Sequence, residues 1–158
     1  MPRVTDFQVL KWVEHPVLSI RLQTSVPELP KVIGQSFQKL GAYTEEAGEV
    51  PTDLPFVAYH NVSGLNEDNV TVEFGFPISK VLPEKDGMKT IIQPETLIVF
   101  CMYRGEYGKM ESVYNEMMEW INTHGYKAKD VSYEYYYNGP EFPEEEMLTR
   151  VLFPIEKV

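Results

Sequence analysis

The chain has 158 residues, of which 43% are hydrophobic, 13% aromatic and 24% charged, enough apolar material for one ordinary domain without a disulfide or a metal to staple it. Its 24 acidic residues against 14 Lys and Arg give a net charge of −10, which works against neutralising phosphates and so against direct nucleic-acid binding. The longest apolar run, Leu97 to Tyr103, is far short of the roughly 18–20 residues of a membrane span, and no charged start leads into an apolar signal core, so a cytoplasmic protein with no membrane partner is expected.

From the amino end, Phe7–Val13 and Val17–Thr24 read as strands, with His15-Pro16 as the turn of a hairpin. Ser25, Pro27 and Glu28 have the spacing of a capping box with an early proline, which predicts a helix running to about Glu46. Pro30 limits the regularity of its first turn. Ile33, Phe37 and Leu40 share its buried face, and Gly48 stops it. After a loop through Pro51 and Pro55, Phe56–His60 and Val70–Ile78 are predicted strands. In the second, Val70, Val72, Phe74 and Phe76 alternate against Thr71, Glu73 and Gly75.

The second half repeats this order. Met88–Gln93 and Thr96–Tyr103 read as a hairpin, and a helix from about Gly108 to Thr123 has Met110, Tyr114, Met117 and Ile121 on one face. Ser132–Tyr137 reads as a strand ended by the turn chemistry of Asn138-Gly139-Pro140, and a last strand runs from about Leu148 to Ile155. Adding 77 to a residue number carries Ile33 to Met110, Phe37 to Tyr114, Leu40 to Met117, Gly48 to Gly125, Tyr59 to Tyr136 and Phe76-Pro77-Ile78 to Phe153-Pro154-Ile155. The expectation is therefore a single domain, residues 1–158, with an internal repeat of about 5–80 and 87–158.

Four of the six residues in Ser132–Tyr137 are tyrosine, and Glu134 stands among them. Strand alternation puts Ser132, Glu134 and Tyr136 on one face and Tyr133, Tyr135 and Tyr137 on the other. Alone, Glu134 reads as an ordinary surface acid. Under the 77-residue shift its counterpart is Val57, an expected core position, so an acid occupies what the frame treats as apolar and is expected to line a pocket. Cys101 reads as a small buried hydrophobe, and Met110, Met117 and Met118 as core. His15, His60 and His124 form no metal spacing with Cys101, and there is neither a G-x-S-x-G elbow nor a glycine-rich phosphate loop. No metal and no cofactor are expected.

The segments Tyr103-Arg104-Gly105-Glu106-Tyr107, Trp120-Ile121, Gly125-Tyr126, Tyr133-Glu134-Tyr135-Tyr136 and Thr149 through Phe153-Pro154-Ile155 together make a pattern that resembles the GyrI-like small-molecule-binding superfamily. That superfamily includes the effector-binding domains of some AraC-type and MerR-type regulators. The resemblance implies an α+β fold of two pseudo-symmetric strand-helix-strand-strand modules, forming a curved antiparallel sheet with two main helices and a ligand crevice between the modules. It also implies that a glutamate matching Glu134 lies at the base of an aromatic pocket and meets a small, lipophilic, cationic aromatic ligand. Tyr136, Tyr103 and Trp120 are the accompanying candidates, with Tyr59, Phe56 and Phe74 as geometric candidates from the first half. No helix-turn-helix segment flanks the domain, so a stand-alone member is expected. Two other readings follow from stand-alone relatives. One is a detoxifying hydrolase that opens the cyclopropane ring of genotoxic alkylating agents, with Glu134 as base and the hydroxyl of Tyr103 or Tyr136 as the donor that polarises the electrophile's carbonyl. The other is an inhibitor type with gyrase as protein partner.

Overall fold

Antiparallel strands and two main helices build the chain into an α+β fold. The computed structural model describes residues 4–64, 66–139 and 141–158, so Pro140, assigned above to a turn, lies outside the described residues. In chain order the elements are β1 (Gln8–Trp12), β2 (His15–Thr24), α1 (Leu29–Glu46), β3 (Phe56–His60), β4 (Val70–Pro77), β5 (Lys89–Gln93), β6 (Thr96–Arg104), α2 (Glu111–Thr123), β7 (Tyr126–Ala128), β8 (Val131–Tyr136) and β9 (Leu148–Lys157). Among the described residues no helix is long and apolar enough to cross a membrane.

The elements fall into two compact units, one of Val13–Glu95 and one of the residues up to Trp12 with Thr96–Val158. In the first unit the strands run in the order β3-β4-β2-β5, with α1 against β2 and β4. In the second they run β1-β6-β9-β8, with β7 also paired to β9. The two expected hairpins do not form. β1 pairs with β6, and β5 pairs with β2, so each unit takes its outer strand from the opposite half of the sequence. The reason lies in the prolines. His15 precedes Pro16 and Gln93 precedes Pro94, and a residue before proline is held extended, which prolongs the strand where a turn was expected. Accordingly His15 and Pro16 lie within β2, with His15 opposite Gln93.

The entry into α1 also differs from expectation. Ser25 is extended, with φ −93° and ψ 157°, but its hydroxyl makes no capping bond, and a 3-10 turn over Val26–Glu28 leads into the helix. A capping hydroxyl reaches for the second or third amide of the helix, and Pro27 has no N–H to offer. The buried residues of α1 are Leu29, Ser36, Leu40, Tyr43 and Thr44, with Ile33 and Phe37 only half-buried. Gly48 ends the region as expected, at φ +70°, with its N–H donated to the Glu45 carbonyl.

The core of the second unit joins Val99, Cys101 and Tyr103 of β6, Val151, Phe153 and Ile155 of β9, and Met110, Val113, Met117 and Ile121 along α2. Full burial of side chains such as Met117 and Ile121 contributes about 1.5–3 kcal/mol each. Met118, one residue round the helix, is instead exposed. In the first unit the corresponding layer contains Leu18, Leu40, Val57, Val72 and Phe74, all with no accessible surface.

Candidate functional site

The tyrosine-rich β8 lies against β9 with Glu134 opposite Val151 and Tyr136 opposite Thr149. Directly opposed residues share a face, so Glu134, Tyr136 and Thr149 all lie on the side of the ladder where Val151 meets the α2 core. There Glu134 is 8% exposed. Tyr114, reaching down from α2, donates its hydroxyl to Glu134 Oε2, and Tyr136 donates to Oε1 at 2.9 Å. On the opposite face Tyr133 and Tyr135 stack at 6.3 Å, with Trp12 edge-on to both and the Arg150 guanidinium over the Tyr135 ring. The alternation expected of this strand is therefore the one it adopts.

The electrostatics of Glu134 are unusual because its hydrogen-bond partners are neutral. Burial pushes its carboxyl above the ordinary range, and the two tyrosine hydroxyls offset this only in part. Among the described residues no cation pairs with it. Tyr107, in the 3-10 turn Tyr107–Lys109, sets its ring edge-on to Tyr136 at 5.4 Å and leaves 44% of its surface exposed. Its hydroxyl is pushed up first by burial and then by the nearby charge of Glu134. Thr149 is fully buried beside that hydroxyl, near enough to ease its ionisation, yet among the described residues its own Oγ1 has no partner in hydrogen-bonding geometry.

Within this unit, not every residue expected at the site comes to it. Tyr103 is a core residue, 1% exposed, and donates its hydroxyl to the Glu106 carbonyl at 2.6 Å. That bond passes over Gly105, at φ +142°, where a Cβ would come within 2.9 Å of the Tyr103 oxygen, so the Tyr-Arg-Gly-Glu-Tyr run is a device that lays Tyr103 flat and delivers Tyr107. Trp120 stands about one position short of two turns beyond Tyr114, roughly 9 Å along α2. It stacks on His124 at 4.0 Å and Tyr126 at 6.2 Å and lines a separate groove of about 370 Å³ with Asp6, Phe7, Glu116, Glu119 and Thr123. Phe56, Phe74 and Tyr59 belong to the other unit. There Phe56 and Phe74 are core, Phe74 edge-on to Phe37 at 6.1 Å, and Tyr59 is half-buried.

Tyr114, Tyr107 and Thr149 were not among the expected site residues. A signal for two of them was present: the 77-residue shift pairs Tyr114 with Phe37 and Thr149 with Val72, just as it pairs Glu134 with Val57. At Glu134, Tyr114 and Thr149 the second half carries a carboxyl or hydroxyl where the first half is apolar, whereas Tyr136 has a tyrosine, Tyr59, as its counterpart.

A second buried acid lies in the first unit. Glu73, 4% exposed on β4, accepts from His60 Nε2 at 2.9 Å and from Arg21 Nη2 at 3.2 Å. Burial alone would raise its carboxyl, but the His60 hydrogen bond, the neighbouring Ser19 hydroxyl and the charges of His60 and Arg21 together hold it below the usual range. Among the described residues no set of three His, Cys, Asp or Glu side chains converges to hold a metal.

The family model for the GyrI-like small molecule binding domain matches residues 5–156. The C-terminal domain of EcmrR has a similar structure, with TM-score 0.80 at 23% identity, covering 98% of this chain and 99% of that one. In the EcmrR–DNA complex the TM-score is 0.83 at 23% identity over 97% of this chain, which spans 58% of the EcmrR chain there. A hydrolase encoded by lin2189 from Listeria innocua has TM-score 0.71 at 13% identity, covering 95% of this chain and 91% of that one. SAV2435 bound to tetraphenylphosphonium has TM-score 0.60 at 11% identity, covering 96% and 94%. No curated protein matches the sequence. Likeness at these identities establishes fold alone, whereas the family match spans nearly the whole chain, and on that match the chain belongs to the GyrI-like small molecule binding domain family.

Proposed function

We propose that this protein is a small-molecule-binding module whose site, centred on Glu134, takes a flat, lipophilic organic cation. The observation that carries the reading is a buried carboxyl whose hydrogen-bond partners, the Tyr114 and Tyr136 hydroxyls, are both neutral. Such a group is expensive to keep without a counter-charge, and truncating it to an apolar residue, as at Val57, is the obvious structural alternative. An arriving cation supplies the missing charge in a low-dielectric setting where attraction is strong. The two phenols keep both carboxylate oxygens aimed, so little reorganisation is needed on binding. The half-exposed rings of Tyr107 and Tyr136 add stacking area and cation–π attraction of roughly 0.5–2 kcal/mol per contact. That SAV2435, of similar fold, is bound to a lipophilic cation supports the ligand class.

The hydrolytic alternative is less well supported by the geometry. Of its expected carbonyl-polarising donors, Tyr103 is committed to the Glu106 carbonyl and Tyr136, like Tyr114, to Glu134 itself. A gyrase partner draws nothing from this site and forms no part of the proposal. The test is a dye-displacement titration with lipophilic cations against wild type and Glu134→Gln. The amide keeps the shape and loses the charge, so affinity is expected to fall at least about tenfold. Equal binding by the two proteins would remove Glu134 from the reading.

A further inference from the structure

A hydroxyl buried without a hydrogen bond is unfavourable, and valine fills nearly the same volume without that burden. Thr149 Oγ1 is in this condition on a fully buried residue, although the 77-residue shift places Val72 at the corresponding position of the other half. It lies opposite Tyr136 on the face that carries Glu134, beside the Tyr107 hydroxyl, and Tyr107 is the most exposed of these side chains. Glu134, Tyr136 and Tyr107 therefore surround an oxygen that finds no partner in hydrogen-bonding geometry among the described residues.

We propose that Thr149 determines ligand specificity: its Oγ1 accepts a hydrogen bond from an N–H of the bound cation while Glu134 supplies the opposing charge. The ligand class is then a protonated aromatic amine, taken in preference to fully alkylated ammonium or phosphonium ions of equal size and charge. The Thr149 proton turns to the neighbouring Tyr107 oxygen, which leaves a lone pair directed to the ligand. Tyr107, set edge-on to Tyr136 and carried on a single 3-10 turn, is the side chain whose rotation admits the ligand to both Thr149 and Glu134. This inference rests on the cation reading of Glu134 and adds to it the kind of cation.

Two dyes separate the ideas. Acridine orange carries a proton on its ring nitrogen at neutral pH, and 10-methylacridine orange carries a methyl group there, with the same ring system and charge. Fluorescence titration of the full chain is expected to give roughly tenfold tighter binding of the N–H dye, the worth of a hydrogen bond to a charged donor. Thr149→Val is expected to lose that preference, and Thr149→Ser, which restores the hydroxyl, to keep it. Equal binding of both dyes by wild type, or a preference that survives in Thr149→Val, would overturn the role of Thr149 and leave the Glu134 reading standing. Binding of neither dye overturns both.

Discussion

Among the described residues each compact unit buries one glutamate, and the two are handled in opposite ways. Glu73 is met by Arg21 and His60, and its carboxyl is held below the ordinary range. Glu134 is met by two phenols, and its carboxyl is pushed above it. Burial by itself therefore says little about function. Charged partners make Glu73 part of the frame, a paired ion in which the protein satisfies its own electrostatics. Neutral partners leave Glu134 oriented but without a counter-charge, the condition that the proposed cation would relieve.

The sharpest way to break the comparison is to copy the acid without its surroundings. Val57, the counterpart of Glu134, is fully buried, sits opposite Phe74 on β4, and has Phe37 where the other unit has Tyr114. Val57→Glu places a carboxyl there with Tyr59 as the counterpart of Tyr136 but with no counterpart of the Tyr114 hydroxyl. It is expected to cost about 3 kcal/mol, read as a fall in the urea midpoint, because a buried carboxyl short of a hydrogen-bond donor keeps much of its desolvation penalty. A loss under about 1 kcal/mol would mean that the Tyr114 hydroxyl does not explain how Glu134 is tolerated.

A smaller effect distinguishes the two native acids. Glu73→Ala strips Arg21 and His60 of their shared acceptor and is expected to destabilise the protein by about 2 kcal/mol, the Arg21 contribution being tempered by its exposure to solvent. The sign of its pH dependence follows from its lowered pKa. Glu73 contributes its stability in full above the carboxyl's unfolded pKa, and that contribution is lost as pH falls through the folded value. Glu134 runs the other way. With its folded pKa raised, the protein loses stability as pH climbs from the unfolded pKa to the folded one, and Glu134→Gln flattens that decline. Urea unfolding of the three proteins across acidic to neutral pH reads both signs, and a Glu73→Ala curve parallel to wild type would contradict the assignment.

Much of this frame was legible in the chain because its signals are local. Phe56–His60 read as a strand after the loop through Pro55, which the structure reproduces residue for residue, and Gly48 marked the end of α1. Strand pairing was not legible for β1 and β5. The nearest strand in sequence was available to each, and nothing local encodes a preference for a strand from the far half. β7, at three residues, is too short to show a period. At the site, Glu134 stood out because an acid interrupts an apolar column. Tyr114 did not, since a helical periodicity counts tyrosine as apolar and ignores its hydroxyl. Glu73 was hidden for a related reason: it occupies the polar phase of an alternating strand, and alternation assigns that phase to solvent, whereas β4 buries nearly every residue on both faces.

The mildest test reaches the interplay between Glu134 and its collar. A cation prefers the carboxylate over the acid, so binding expels any proton that Glu134 holds, and affinity is expected to rise with pH until Glu134 is ionised in the free protein as well. Tyr136→Phe removes a hydroxyl that stabilises the ionised form, and its hydrogen bond at 2.9 Å is of ordinary length. The substitution should raise the Glu134 pKa further and shift the binding curve to higher pH. At a fixed pH below the plateau it should weaken affinity by roughly threefold, the value of one hydrogen bond to a carboxylate shared with a second donor. Above the plateau the two proteins should converge, apart from any change in stacking, because both then present a carboxylate. Dye titrations at a series of pH values separate this from simple loss of contact area, which would lower affinity by the same factor throughout. A pH-independent deficit in Tyr136→Phe would show that the ring matters and the hydroxyl does not, and the contrast with Glu73 would then rest on Tyr114 alone.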